Sequence, residues 1–106
     1  MPSFRFLVFT NPLDDREDDF NRWYDEQHVA DVLRVPGVVA AERFRLADPG
    51  TGQLAGFKYL AIYEIEAEDP QAVLAELTSR PGTDLMVMTD TMDPASASTV
   101  SYTHLT

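Results

Sequence analysis

Apolar residues in the first segment, Phe4 to Thr10 ("FRFLVFT"), fall on both sides of an extended chain, with Phe4, Phe6 and Val8 alternating with Leu7 and Phe9. A strand of this kind is expected to be covered on both faces. The period then changes. "NPLDDRED" supplies a turn at Asn11 and Pro12 and an acidic run suited to a helix N-terminus. The spacing predicts a helix over residues 15–33, ended by Val35, Pro36 and Gly37. Residues 38–47 ("VVAAERFRLA") read as a strand, followed by the Gly- and Pro-rich loop "DPGTGQLAG". Residues 57–66 form the next strand, with Phe57, Tyr59, Ala61, Tyr63 and Ile65 on one face and Lys58, Leu60, Ile62 and Glu64 on the other. Asp69 as N-cap and Pro70 at the first helical position open a second helix, "DPQAVLAELTS". "TDLMVMTDTMDPAS" fits either a short helix or an irregular loop, and "STVSYTHLT" alternates as a last strand.

The order strand, helix, strand, strand, helix, strand predicts an α+β protein with the ferredoxin-like βαββαβ arrangement, a four-stranded antiparallel sheet with two helices on one face. Two helices cover one face only. The other face, carrying residues such as Leu7, Phe9, Leu60 and Ile62 or their alternates, needs a cover. A second copy of the chain is the economical one, so a homodimer packed sheet to sheet is expected.

With 106 residues the chain is expected to be a single domain. Its formal charge of −10, with eight scattered Lys and Arg, disfavours nucleic acid and anionic membrane surfaces. Cysteine is absent, which removes disulfides and thiolate chemistry. No apolar run reaches the roughly 20 residues of a membrane span, and "MPSFRFLVFT", interrupted by Arg5, does not resemble a signal peptide. A cytoplasmic protein fits these features.

The first helix holds the candidate chemistry. At roughly 100° per residue, Phe20, Tyr24, His28 and Val32 form one ascending row. Gln27 and Asp31 fall within about 20° of Phe20 on the same wheel, between Trp23 and Tyr24. Three polar side chains thus share an aromatic face. They either reach the helix end and one another or line a cavity, because a buried unpaired polar group costs on the order of 1–3 kcal/mol.

Glycine loops that cradle phosphate, dinucleotide fingerprints and acyl-transfer nucleophile motifs are all missing. His28 and His104 with a carboxylate lack any metal-ligand spacing, so no metal is assigned. Proton transfer remains. His28 is the candidate acid/base, oriented by Asp31 or a backbone carbonyl, while a tyrosine hydroxyl (Tyr63 foremost, or Tyr24, Tyr59 or Tyr102) donates to a developing enolate oxygen. Phe20, Trp23, Phe44 and Phe57 would hold a planar apolar substrate, and Gln27 and His104 are further candidates for contact with it. Arg43 and Arg45, opposite Phe44 and Leu46 on their strand, are expected to make ion pairs.

The pattern "FNRWYDEQHVADVLRVPGVVAAERFRL", followed by "KYLAIYEIE", resembles the dimeric α+β barrel proteins, in particular their EthD-like branch. The resemblance covers residues 4–77 and is weak over residues 86–98. It implies a ferredoxin-like subunit, a barrel formed at a dimer interface, and a cleft between helices and sheet. The helix histidine of that family maps onto His28. Relatives include polyketide cyclases, muconolactone isomerases and cofactor-free monooxygenases. The combined expectation is a small enzyme that needs no cofactor, of the cyclase, isomerase or lyase type, acting on a hydrophobic carbonyl-bearing or phenolic molecule. The alternatives are a non-catalytic binder of a hydrophobic metabolite and a cofactor-free monooxygenase.

Overall fold

The computed structural model describes residues 2–105. Its strands are β1 (Ser3–Thr10), β2 (Val38–Arg45), β3 (Tyr59–Glu66) and β4 (Ser98–Thr103). They form one antiparallel sheet in the order β2-β3-β1-β4. The first helical stretch has three parts, α1 (Glu17–Trp23), a π-helical turn (Tyr24–His28) and α2 (Val29–Leu33). The second is α3 (Pro70–Ser79). This is the ferredoxin-like architecture expected from the pattern of strands and helices.

Register sorts the side chains. Phe4, Phe6, Val8 and Thr10 of β1 stand opposite Ile65, Tyr63, Ala61 and Tyr59 of β3. Ala41, Arg43 and Arg45 of β2 pair with Tyr63, Ala61 and Tyr59, so they share that face. The helices pack on it, and the core is built from Phe20, Tyr24, Val32 and Val35 of the first helical stretch, Val73 and Leu77 of α3, and the β3 residues Tyr59, Ala61, Tyr63 and Ile65. Each large apolar side chain sealed there contributes about 1.5–3 kcal/mol. The opposite face carries Leu7, Phe9, Phe44, Leu60, Ile62 and Val100, and no helix among the described residues covers it.

Local signals explain the boundaries. Glu17, Asp18 and Asp19 sit in the first turn of α1, where the helix dipole favours them. The Asp69 carboxylate accepts from the Gln71 N–H at 3.1 Å, capping α3 with Pro70 behind it. The strands β2 and β3 are shorter than the sequence pattern predicts, ending at Arg45 and starting at Tyr59, and the intervening loop includes a 3₁₀ turn at Gln53–Gly56. The segment between α3 and β4 is an irregular loop with isolated bridges at Met86 and Met92. It is tied to the body by Leu13 N–H to Thr91 O (2.7 Å) and Asp93 N–H to Asn11 O (2.8 Å).

The breaker after α2 does two things. Gly37 adopts φ +101°, and a Cβ there would lie 2.8 Å from Val73 Cγ2. Gly37 therefore turns the chain into β2 and lets α3 approach. Gly37→Ala should cost at least about 2 kcal/mol in urea unfolding, through strain and steric overlap together. Gly52→Ala, at φ +92° with nothing within 4 Å, should cost less, and equal losses would show that the approach of Val73 is unimportant.

Candidate functional site

Between the helices, the sheet and the irregular segment lies a cavity of about 310 Å³, within the size range of small-molecule sites. Phe6 and Val8 of β1, Tyr63 of β3 and Thr99 of β4 form its floor. Trp23, Tyr24 and His28 line one side and Leu77 of α3 another. Met86, Met88 and Met92 of the irregular segment close it.

The π-helical turn arranges the polar side of this cavity. An α-helix would set Trp23 and His28 some 140° apart on the wheel. A π turn matches residue i with i+5 instead, and Trp23 and His28 stack face to face at 4.5 Å with planes 26° apart. Tyr24 meets the same imidazole edge-on at 4.9 Å. The Trp23 indole is fixed by Nε1–H to Val87 O at 3.0 Å. His28 is thus held between two aromatic rings by packing, and its Nδ1 is buried without a hydrogen-bond partner.

Tyr63, 1% exposed, also leaves its hydroxyl without a hydrogen-bond partner. Burial pushes its pKa up, and the nearby Tyr24 hydroxyl adds to the shift, so Tyr63 remains an O–H donor at any ordinary pH. Tyr24 is raised in the same direction, chiefly by burial. Burial lowers the His28 pKa to about 4, with the Arg43 charge acting in the same direction and Asp31 opposing it. At neutral pH the imidazole is therefore uncharged.

Of the residues nominated from the sequence, the cavity brings together His28, Tyr63, Tyr24 and Trp23. It does not include the other eight. Asp31, 2% exposed, is not hydrogen-bonded to His28. Its carboxylate accepts from Arg34 (2.6 Å), Gln27 (2.8 Å) and the Val87 N–H (3.3 Å), so it fastens the irregular segment to the helix. Gln27 is occupied by that bond. Phe20 is sealed in the core behind Tyr24 and packs on Tyr59. The Tyr59 hydroxyl accepts from Asn21 at 3.0 Å and donates to Glu17, joining the start of α1 to the sheet.

Four corrections concern the strands and their ends. Phe44 lies on the uncovered face, because its β2 register pairs it with Leu60. Phe57 precedes β3 and packs against Phe9 at 5.5 Å. Tyr102, paired with Arg5, is exposed and outside the cavity. His104 follows β4, where its backbone N–H donates to Ser3 O, and it is exposed. The ion pair expected for Arg43 is present, with Asp25 at 2.8 Å. The three methionines were not nominated; their only sequence signal is the clustering in "MVMTDTM".

The half-buried, neutral histidine links stability to pH. Its folded pKa lies below the unfolded value near 6.5, so as pH falls from 6.5 the unfolded chain takes up a proton that the folded one refuses. Stability is lost through that window and the loss levels off near pH 4. Between pH 7 and about pH 4.5, wild type should lose about 2 kcal/mol more than His28→Gln in urea unfolding. Carboxylate titrations are common to both proteins, so parallel curves would mean that the imidazole is not held neutral.

Neither a protein-family model nor a curated protein matches the sequence. Solved structures do match. A candidate monooxygenase from Shewanella loihica PV-4 superposes with TM-score 0.64 at 10% identity, covering 100% of this chain and 98% of that one. A DABB-family protein with a ferredoxin-like fold from Mesorhizobium loti gives 0.65 at 14% identity, with full coverage of both chains. A dimeric ferredoxin-like protein of unknown function from Jannaschia sp. CCS1 gives 0.62 at 14%, covering 94% and 97%. At such identities the likeness speaks for architecture, and the architecture of this chain is the ferredoxin-like one that these proteins share.

Proposed function

We propose that the protein is a small enzyme of the cyclase, isomerase or lyase type that needs no cofactor and moves a proton on a largely apolar, carbonyl-bearing or phenolic molecule. One observation carries this reading. Among the described residues, the two buried side-chain atoms without a hydrogen-bond partner are His28 Nδ1 and the Tyr63 hydroxyl oxygen, and both residues line the same largely apolar cavity. Leaving such groups unpaired costs on the order of 1–3 kcal/mol each, a cost that a bound molecule with an oxygen at this end would offset.

In this reading neutral His28 accepts the proton from carbon beside a carbonyl, and Tyr63 donates a hydrogen bond to the oxygen as negative charge develops there. Trp23 and Tyr24 restrain the imidazole. Asp31 has no part in the chemistry, since its oxygens are already engaged. A second reading is favoured by the His28 pKa of about 4, which makes the imidazole a weak base in the empty cavity. It is a carrier that binds a hydrophobic metabolite without turnover. The fold likeness to a candidate monooxygenase adds an oxygen-dependent variant of the first reading.

Exchange of the α-proton of an aryl ketone in D₂O, followed by NMR, tests the proposal. His28→Gln should slow exchange by roughly a hundredfold, the scale of a general base, and Tyr63→Phe should slow it as well. An unchanged rate in His28→Gln would remove His28 from the chemistry. Binding without exchange favours the carrier, and consumption of dissolved oxygen favours the oxygenase.

We also propose that a second copy covers the open sheet face. Support comes from the apolar row Leu7, Phe9, Leu60, Ile62 and Val100, from Phe44, which is 44% exposed, and from the dimeric ferredoxin-like protein of the same fold. Light scattering should give twice the chain mass for wild type and a shift toward the single chain for Phe44→Glu. A wild-type monomer at micromolar concentration would overturn the dimer.

A further inference from the structure

The distribution of charge around the cavity is at odds with that of the whole molecule. The chain holds eighteen Asp and Glu residues and a formal charge of −10, yet among the described residues no Asp or Glu lines the cavity. The walls from β1, β4, α3 and the irregular segment contribute no ionisable side chain at all. The ionisable groups that act on His28 and Tyr63 are Tyr24, Asp31 and Arg43. Asp31 is paired with Arg34 at 2.6 Å, but Arg34 is the more exposed partner, and the carboxylate raises the His28 pKa by more than Arg43 lowers it. On Tyr63 the formal charge that acts is Arg43.

Arg43 is drawn inward over aromatic rings. Its guanidinium carbon lies 4.2 Å from the Tyr24 ring centroid, 5.4 Å from that of Tyr59 and 5.7 Å from that of Phe20. Its ion-pair partner Asp25 is 63% exposed while Arg43 is 15% exposed. Solvent therefore screens the carboxylate more than the guanidinium, and a net positive field remains on the protein side. Asn21 Oδ1 accepts a further bond at 2.9 Å and fixes the plane of the fork. Tyr24, on whose ring Arg43 sits, lines the cavity beside His28 and Tyr63.

We propose that the cavity takes its ligand as an oxyanion, a phenolate or the enolate of a 1,3-dicarbonyl compound, and that Arg43 is the positioning residue whose charge, held on the Tyr24 ring, sets that preference. The proposal rests on the cavity being the ligand site and applies to a carrier as well as to an enzyme. On binding, the O–H bond of the ligand breaks, its electron pair stays on oxygen and its proton passes to the solvent buffer. The Tyr63 O–H and an N–H of the uncharged His28 then face the oxyanion as donors. Arg43 acts in the same sense on the residues themselves, lowering the pKa of His28, Tyr24 and Tyr63, each against or alongside the larger effect of burial. At the Tyr63 and Tyr24 hydroxyls, where Arg43 is the formal charge that acts, the same field favours an anion beside them.

4-Nitrophenol is a suitable probe because its ionised and neutral forms absorb differently, and 4-nitroanisole is its counterpart without an acidic proton. With saturating protein, the ionisation of bound 4-nitrophenol should shift down by about one pH unit. 4-Nitroanisole should bind at least roughly tenfold more weakly. Arg43→Met should cancel half of the shift or more, and Arg43→Lys should keep most of it. Should Arg43→Met fail to fold, the wild-type shift and the Arg43→Lys comparison carry the test. Equal binding of both dyes, with bound nitrophenol neutral, overturns the oxyanion proposal and leaves the cavity as a ligand site. A shift untouched in folded Arg43→Met overturns the role of Arg43. Failure of both dyes to bind overturns this proposal together with the ligand-site reading beneath it.

Discussion

The aromatic seam between the first helical stretch and β3 is the contact on which the rest of the molecule depends. Phe20 packs on Tyr59 at 5.4 Å, and Tyr24 sits edge-on to Phe20 at 5.5 Å, above the strand that carries Tyr63. These rings are buried nearly completely and fix the height of the helix over the sheet. Large rings keep the helix away from the strand, and toward β4 the small side chains of Ala97 and Thr99 leave the resulting space open. The cavity is the remainder of that packing. It needs no separate device to form it, only the absence of bulk beyond the seam.

The irregular segment gives the cavity its closing wall without regular backbone pairing. It is held by a few long-range bonds, of which those through Val87 are the most informative. The Val87 carbonyl accepts from Trp23 and its N–H donates to Asp31. The helix that presents His28 thus also anchors the wall that faces it. Three thioethers on that wall provide a flexible, polarisable surface, set against a stiff sheet floor.

Much of this was legible in the sequence, for reasons that differ by element. The helices and strands follow from apolar period, from the Asp69-Pro70 cap and from the Pro36-Gly37 break, all of which act locally. The two-sided apolar pattern of β1 and β3 implied cover on both faces, and the helices of the chain supply it on one. His28, Tyr24 and Trp23 reach the cavity because an aromatic helix face bearing a histidine has to meet the sheet, and Tyr63 reaches it from the central strand that faces the helices. Asp31 was misplaced because the wheel gives direction but not partners, and its partners Arg34 and Val87 N–H come from a helix end and a loop. Phe44, Phe57, Tyr102 and His104 were misplaced because aromatic character alone does not say which face of a sheet a residue occupies. The π turn had no signature in the pattern. It changes the angular relation of Trp23 to His28, and no count at a fixed angle per residue reveals it.

Trp23 is the only tryptophan in the chain, and it lies stacked on the His28 imidazole. Fluorescence excited selectively in tryptophan, apart from the four tyrosines, therefore comes in each chain from one indole in contact with the group of greatest chemical interest. Charge arriving on that imidazole, or a molecule displacing its neighbours, alters the surroundings of the single indole of the chain. The fold has placed an optical reporter on the wall of its own cavity.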